Sequence, residues 1–260
     1  SDAARKLWRG RGGLACRDRR FCRWAWPKRR FRQNLNTDSI VESLNRDSFM
    51  VYRTTSLRLD RDQALRARIL ECALQRVAEN GFASLTMQQL AADAGLATGS
   101  LYRHFRNKGE LASEVFAMAS RREVDALASA FAAPGAPGER LAQGILQFAA
   151  RAWHSRQLAF ALIAEPVEPE VDEQRLLYRE AYAELFCGLL EEGVRSGDFR
   201  VEQIRLVAAC LVGAIAESLV GPLSPAAQAA RESGRAAINA ADTSRHLITF
   251  CLRAVGAKGY

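Results

Sequence analysis

Between two helix-starting signals, Thr86-x-x-Gln89 and Asn107-x-x-Glu110, the chain has room for only two short helices separated by the turn Gly95-Leu96-Ala97. In such a box the first side chain accepts the N3 amide and the Gln or Glu reaches back, so each marks a helix start. Helices this short do not persist alone in water and must lean on longer neighbours. One such neighbour lies upstream. Leu65, Ile69, Ala73 and Val77 recur every four residues, Leu70 and Leu74 widen the stripe, and Asn80-Gly81 supplies a left-handed stop, which predicts a first helix of about five turns from Asp62. The second helix turns Leu90, Ala91 and Ala94 inward, and the third turns Leu101 and Phe105. A fourth, carrying Leu111, Val115, Met118 and Val124, is expected to run to about Phe131.

Beyond the loop Ala132-Ala-Pro-Gly-Ala-Pro-Gly138, helical spacing continues, with helices expected at about 139–155, 157–164, 171–196, 201–220 and 243–255. Glu165-Pro-Val-Glu-Pro169 separates two of them, and the Pro- and Ala-rich stretch from Gly221 to Asp242 is expected to be a connection before the last. No strand pattern or internal repeat is evident. Two short helices joined by a Gly-containing turn behind a longer packing helix are the helix-turn-helix arrangement. The expected fold is therefore all-α: an N-terminal three-helix DNA-binding domain over 60–123 and a C-terminal helical-bundle domain over 124–260, to which the resemblance described below adds dimerisation and effector binding.

Charge supports this less than its total of +8 suggests. The first 32 residues hold twelve Lys or Arg against Asp2 and Asp18, so the remainder is slightly acidic. Residues 1–59 show no sustained period and are expected to be a disordered basic tail. Two functional readings stay open for it, an arm adding phosphate contacts and a membrane-surface segment using Trp8, Trp24 and Trp26. The third reading is that the tail is not native and that translation starts at Met50, the first methionine. The tail lacks the apolar core of a signal peptide. The longest apolar run, Leu206–Ala216, is short against the roughly 20 residues of a membrane span, so no membrane partner is expected. Cys16, Cys22, Cys72, Cys187, Cys210 and Cys251 include no Cys-x-x-Cys. No metal or cofactor is expected, and the cysteines suit a reducing cytoplasm, with redox sensing at Cys187 or Cys210 as a minor alternative.

At 100° per residue Gly99, Ser100, Tyr102 and Arg103 spread over the outer face of the third helix, with His104 at its edge. Gly99 allows close backbone approach to a sugar-phosphate chain. Ser100 and Tyr102 can donate to phosphates, and Arg103 can contact guanine O6 and N7 in bidentate fashion. Lys108, in the first turn of the next helix, is placed for a phosphate, and Thr86 at a helix N-terminus adds another anion contact.

These residues carry a resemblance. Ile69-Leu70, Ala73, Gly81-Phe82, Leu85-Thr86, Leu90-Ala91, Ala94-Gly95, Gly99-Ser100-Leu101-Tyr102, His104-Phe105, Lys108 and Leu111, in this order and spacing, resemble the N-terminal domain of the tetracycline-repressor family. The resemblance implies a homodimeric all-helical regulator, a repressor released from a palindromic operator when a small molecule binds its C-terminal domain. By position, Tyr102 and His104 look like the family's phosphate or base-edge contacts, Lys108 like its phosphate-binding lysine, and Leu101 and Phe105 like its core. Ala97 departs from the usual Ser or Thr cap, which costs about 1 kcal/mol; Thr98 is expected to cap one residue later. Arg76, Val77 and Gly109 depart as well.

The apolar helix near 201–220, with Ala208, Ala209, Gly213 and Ala216, and the last helix, with Leu247, Phe250, Cys251 and Ala254, resemble the pair that forms the family's four-helix dimer interface. The other reading is that both are monomer core. Candidates for the effector pocket are Phe148, Trp153, Phe160, Tyr178, Tyr182 and Phe186, while His154 reads as a surface group. An all-helical enzyme is the competing class, and no Gly-x-Ser-x-Gly, phosphate loop, His-Glu-x-x-His or paired carboxylate supports it. Sequence-independent DNA packaging would need basic charge outside the tail.

Overall fold

The computed structural model describes residues 46–235 and 239–259. Its helices are α1 (Arg46–Asn80), α2 (Met87–Asp93), α3 (Thr98–Leu101), α4 (Lys108–Phe131), α5 (Pro137–His154), α6 (Arg156–Ile163), α7 (Pro169–Ser196), α8 (Ile204–Leu223), α9 (Pro225–Glu232) and α10 (Ala240–Ala254). A 3-10 turn, Phe82–Ser84, joins α1 to α2. Two boundaries differ from the sequence reading. Helix α1 begins at Arg46 instead of Asp62, because no Gly or Pro interrupts residues 46–61 and extending a formed helix needs no new nucleus. Helix α9 occupies part of the expected connection; Pro225 sits in its first turn, where proline is tolerated, and the Ser224 hydroxyl accepts the Ala227 amide at 3.2 Å. The tail expectation for residues 1–45 lies outside the described residues.

The first core is built by α1 to α4. Ile69, Ala73, Val77, Phe82, Leu85, Leu90, Leu101, Phe105, Leu111 and Val115 are all buried. Ala161, Val171 and Tyr178, from the far part of the chain, belong to the same cluster. A second core gathers Leu127, Phe131, Leu141, Phe186, Leu190, Leu211, Cys251 and Leu252. Helix α4 therefore serves both, its first half in one core and Leu127 and Phe131 in the other, so the 123/124 division falls inside a continuous helix. At the departing positions the helices are well held: Val77 is buried and Arg76 pairs with Asp93 on α2 at 2.7 Å.

Helix α8 is long and apolar enough to cross a membrane by length and composition, which the short uninterrupted run in the sequence did not suggest. In the fold it packs against α5, α6, α7 and α10.

Candidate DNA interface and effector cavity

Thr86 starts α2 as its N-cap: the hydroxyl accepts the Gln89 amide at 3.2 Å and donates to Gln89 Oε1 at 2.9 Å. The Gln thus returns to the hydroxyl and not to the backbone. Gly95, at φ 67, takes the left-handed conformation that lets the chain reverse after α2. Ala97 is the N-cap of α3 and no side chain caps it. Thr98 lies inside the helix and does not replace the missing cap, which corrects that expectation. Helix α3 is accordingly a single turn, continued by bonds from the His104 and Phe105 amides to the Leu101 carbonyl, each 2.9 Å.

Leu101 and Phe105 are buried, and the opposite face is open to solvent. Tyr102 is 52% exposed. Gly99 and Arg103 are exposed, and Thr98, Ser100 and His104 are half-buried. Arg103 donates to the Ser100 hydroxyl at 3.1 Å, which holds the guanidinium against its own helix. This face offers one phenol, one hydroxyl, one guanidinium and one imidazole over a backbone opened by glycine. Such a set can bond phosphates and base edges but has no arrangement for bond-making chemistry.

Lys108 does not stand free. Its Nζ lies 2.6 Å from Glu168 Oε1, on the segment between α6 and α7. That segment, Glu165-Pro-Val-Glu-Pro-Glu170, grips the helix-turn-helix at three points. The Glu165 carboxylate accepts the amides of Phe82 and Ala83, both at 2.9 Å, and a Cβ on Gly81 (φ 76) would collide with it at 2.7 Å. The Glu170 carboxylate lies against Gly109, where a Cβ would meet it at 2.7 Å. Gly109 thus permits a close approach of Glu170 to the start of α4. The start of α4 is firm: Asn107 Oδ1 accepts the Glu110 amide at 2.7 Å. Glu110 in turn accepts the Arg106 amide, which holds its carboxyl below the usual range despite the opposing effect of desolvation. In the sequence this acidic segment reads as a separator. Three carboxylates between and beside two prolines were the available sign of a docking strap.

Arg175 connects the strap to the second functional feature. Its guanidinium donates to the carbonyls of Glu165 at 2.9 Å and Leu162 at 3.1 Å, and burial pushes its pKa down. It also lines a cavity of about 980 Å³, open mouth included, enclosed by α4, α5, α6, α7 and α8. Phe148, Tyr178, Tyr182 and Phe186 line that cavity as the spacing suggests, joined by Phe116, Leu127, Ile145 and Ile215. The polar groups are few. Glu123 and Arg151 form a two-bond pair at 2.8 and 2.7 Å, which raises the arginine pKa. Desolvation and the nearby Glu123 charge push the Tyr182 phenol upward, so it stays neutral. Trp153 and Phe160 stand outside the lining, in a separate cluster with Leu219 and Leu223 of α8, because they project from the sides of α5 and α6 that turn away from the cavity. His154 is exposed.

A third surface is apolar and open. Leu206 on α8 is 63% exposed and Phe250 on α10 is 56% exposed. Ala209, Cys210 and Gly213 continue the open stripe of α8, and only 33% of the helix's most apolar stretch is buried.

Comparison with known proteins agrees with this geometry. Residues 69–115 match the family described as bacterial regulatory proteins, tetR family, and residues 134–219 match the tetracyclin repressor-like C-terminal domain. The chain is 28% identical over 142 residues to the HTH-type transcriptional repressor KstR2 of Rhodococcus jostii, covering 52% of this chain and 68% of that protein. It is 23% identical over 155 residues to the fatty acid metabolism regulator protein of Bacillus subtilis, covering 58% of this chain and 80% of that one. Its fold is similar to that of FadR from Bacillus subtilis in complex with stearoyl-CoA, with a TM-score of 0.60, 19% identity, and coverage of 73% of this chain and 98% of that one. Both halves of the chain, the helix-turn-helix and the helical domain behind it, thus point one way: the chain belongs to the tetracycline-repressor family and is a DNA-binding transcriptional regulator, not an enzyme.

Proposed function

We propose that the chain is a cytoplasmic, homodimeric repressor that holds a palindromic operator and leaves it when an acyl thioester of coenzyme A enters the cavity. Residues 60–123 are the DNA-binding part, with Gly99, Ser100, Tyr102, Arg103 and His104 at the groove, Thr98 beside them, and Thr86 and Lys108 on flanking phosphates. Residues 124–260 are the effector and dimerisation part. The observation that carries this reading is Arg175, which lines the cavity and holds the carbonyl of Glu165, whose carboxylate holds the turn before α2. A ligand that displaces Arg175 therefore acts on the segment that positions the helix-turn-helix.

The acyl character follows from the walls, which are mostly aromatic and aliphatic, with the Glu123–Arg151 pair and the side chains of Arg175 and Arg179 as the charged groups. The similar FadR of Bacillus subtilis was crystallised with stearoyl-CoA. A dimer is supported by the open apolar stripe of α8 and α10, since exposed Leu206 and Phe250 are costly in a monomer. Two recognition helices about 34 Å apart also require a two-fold partner. The test is selection of bound duplexes from a random DNA pool, followed by footprinting with palmitoyl-CoA. A palindrome protected without the thioester and exposed with it is expected. An asymmetric site, or protection that persists at saturating palmitoyl-CoA, contradicts the proposal.

A further inference from the structure

Where α9 meets the end of α5, three buried N–H groups, one from Trp153 and two from Arg231, have nothing to donate to. Trp153 is 9% exposed and its indole Nε1 has no acceptor. Arg231 on α9 lies with its guanidinium carbon 5.7 Å from the centre of that indole, and Arg156 on α6 with its own at 5.3 Å. One nitrogen of Arg231, Nη1, donates to the Pro222 carbonyl at 2.9 Å, while Nε and Nη2 are buried without a partner. No carboxylate pairs with Arg156 or Arg231 among the described residues.

Two guanidinium groups over one ring, with no counter-charge, repel each other, and each buried unpaired donor adds a desolvation penalty. An oxyanion would relieve both. The bond to the Pro222 carbonyl gives Arg231 a structural role through one nitrogen only, and it leaves Nε and Nη2 buried without an acceptor. The location fits an anion brought by a ligand in the cavity. Phe148, Ala152, Ala159 and Ile163 line the cavity on one side and pack around Trp153 on the other. Ser155 is exposed and lines the cavity, and Arg156 is the next residue. Helix α9, which brings Arg231, packs on α8 and buries none of its own residues, so it can shift to admit a head group.

We infer that Trp153, Arg156 and Arg231 form an oxyanion subsite beside the mouth of the cavity, where the phosphates of the coenzyme A portion are held while the acyl chain lies inside. The inference rests on the acyl-thioester reading above and adds the residues that choose the head group. A free carboxylate has the same chemistry in weaker form, with a single charge.

The test is calorimetric titration of the full chain with palmitoyl-CoA, palmitate and methyl palmitate, for the unaltered protein and for Arg156→Gln/Arg231→Gln. The double variant should bind palmitoyl-CoA at least about ten-fold more weakly and methyl palmitate unchanged, because only the former meets charge-assisted bonds. Arg231→Lys, made in parallel, should recover part of the loss. A comparable loss for palmitate would show that a carboxylate is accepted; a loss for palmitoyl-CoA alone would show that phosphates are required. Equal palmitoyl-CoA affinity in the two proteins refutes the subsite and leaves the effector reading standing. A loss shared by methyl palmitate also refutes it, since the cavity and not an anion contact is then altered. If the unaltered protein binds neither palmitoyl-CoA nor palmitate, both readings fail.

Discussion

Lys108 Nζ and Glu168 Oε1 are 2.6 Å apart, so a cation expected on a DNA phosphate is already held by a carboxylate of the same chain. The two side chains are 35% and 28% exposed, and a pair so open to water contributes only about 0 to 1 kcal/mol. Glu168 precedes the first turn of α7, the helix that also carries Arg175, Tyr178 and Tyr182 into the cavity wall. Phosphate and carboxylate compete for one ammonium, and the winner is set by where the start of α7 lies.

Glu168→Gln should therefore release Lys108. On the proposed interface operator affinity rises a few-fold, and the fall of log affinity with log salt steepens by about one, as for one added phosphate contact. Fluorescence anisotropy over a salt series measures both. No change in either quantity would remove Lys108 from the interface.

Glu165→Ala removes the acceptor of two backbone amides at the turn before α2. Losing this charged acceptor should lower stability by about 1 to 2 kcal/mol, read as a fall of several degrees in the melting temperature. The variant should also bind operator more weakly without any effector, because the helix-turn-helix loses its tie to the strap. A variant as stable as the parent would show that water replaces the carboxylate at those amides.

The helix-turn-helix was legible in the sequence because its signals are local. Thr86, Asn107, Gly95 and the pair Leu101 and Phe105 each act within a few residues, and each stands as its pattern requires. Ala97 was legible as a missing cap, and a one-turn α3 follows from it. The strap was not legible, since Glu165 meets Phe82 and Glu168 meets Lys108 across long sequence separations that no periodicity encodes. The cavity was half legible for the same reason. Phe148, Tyr178, Tyr182 and Phe186 face it, while Trp153 and Phe160, equally aromatic, face α8 instead. Aromatic spacing marks the buried sides of a helix but not which of two neighbours each side meets.

Arg103→Ala should relax base preference at one operator position by about 1 to 3 kcal/mol, whereas Tyr102→Ala should weaken all sites alike. Sequence selection with each variant separates the two. An unchanged preference in Arg103→Ala would mean that its bond to Ser100 persists on DNA.

The proposed dimer face makes a paired prediction with the cysteines. Cys210 is exposed on the open stripe of α8, while Cys251 is buried and its thiol pKa is pushed up to about 12. Leu206→Asp/Phe250→Asp should give a monomer by light scattering. Iodoacetamide at pH 8 should alkylate Cys210 quickly in that monomer and slowly in the parent protein, and Cys251 in neither, because its thiolate population is negligible. Equal Cys210 reactivity in the two proteins would place the dimer contact elsewhere.

Coupling between cavity and DNA is tested most directly by measuring operator affinity as a function of palmitoyl-CoA concentration, with thioester affinity measured on free and operator-bound protein. Linkage requires both factors to be equal. The expected result is a weakening of operator binding by at least about ten-fold, matched by the same loss of thioester affinity on the operator complex. Operator affinity that stays constant while calorimetry shows the cavity saturated would contradict the account.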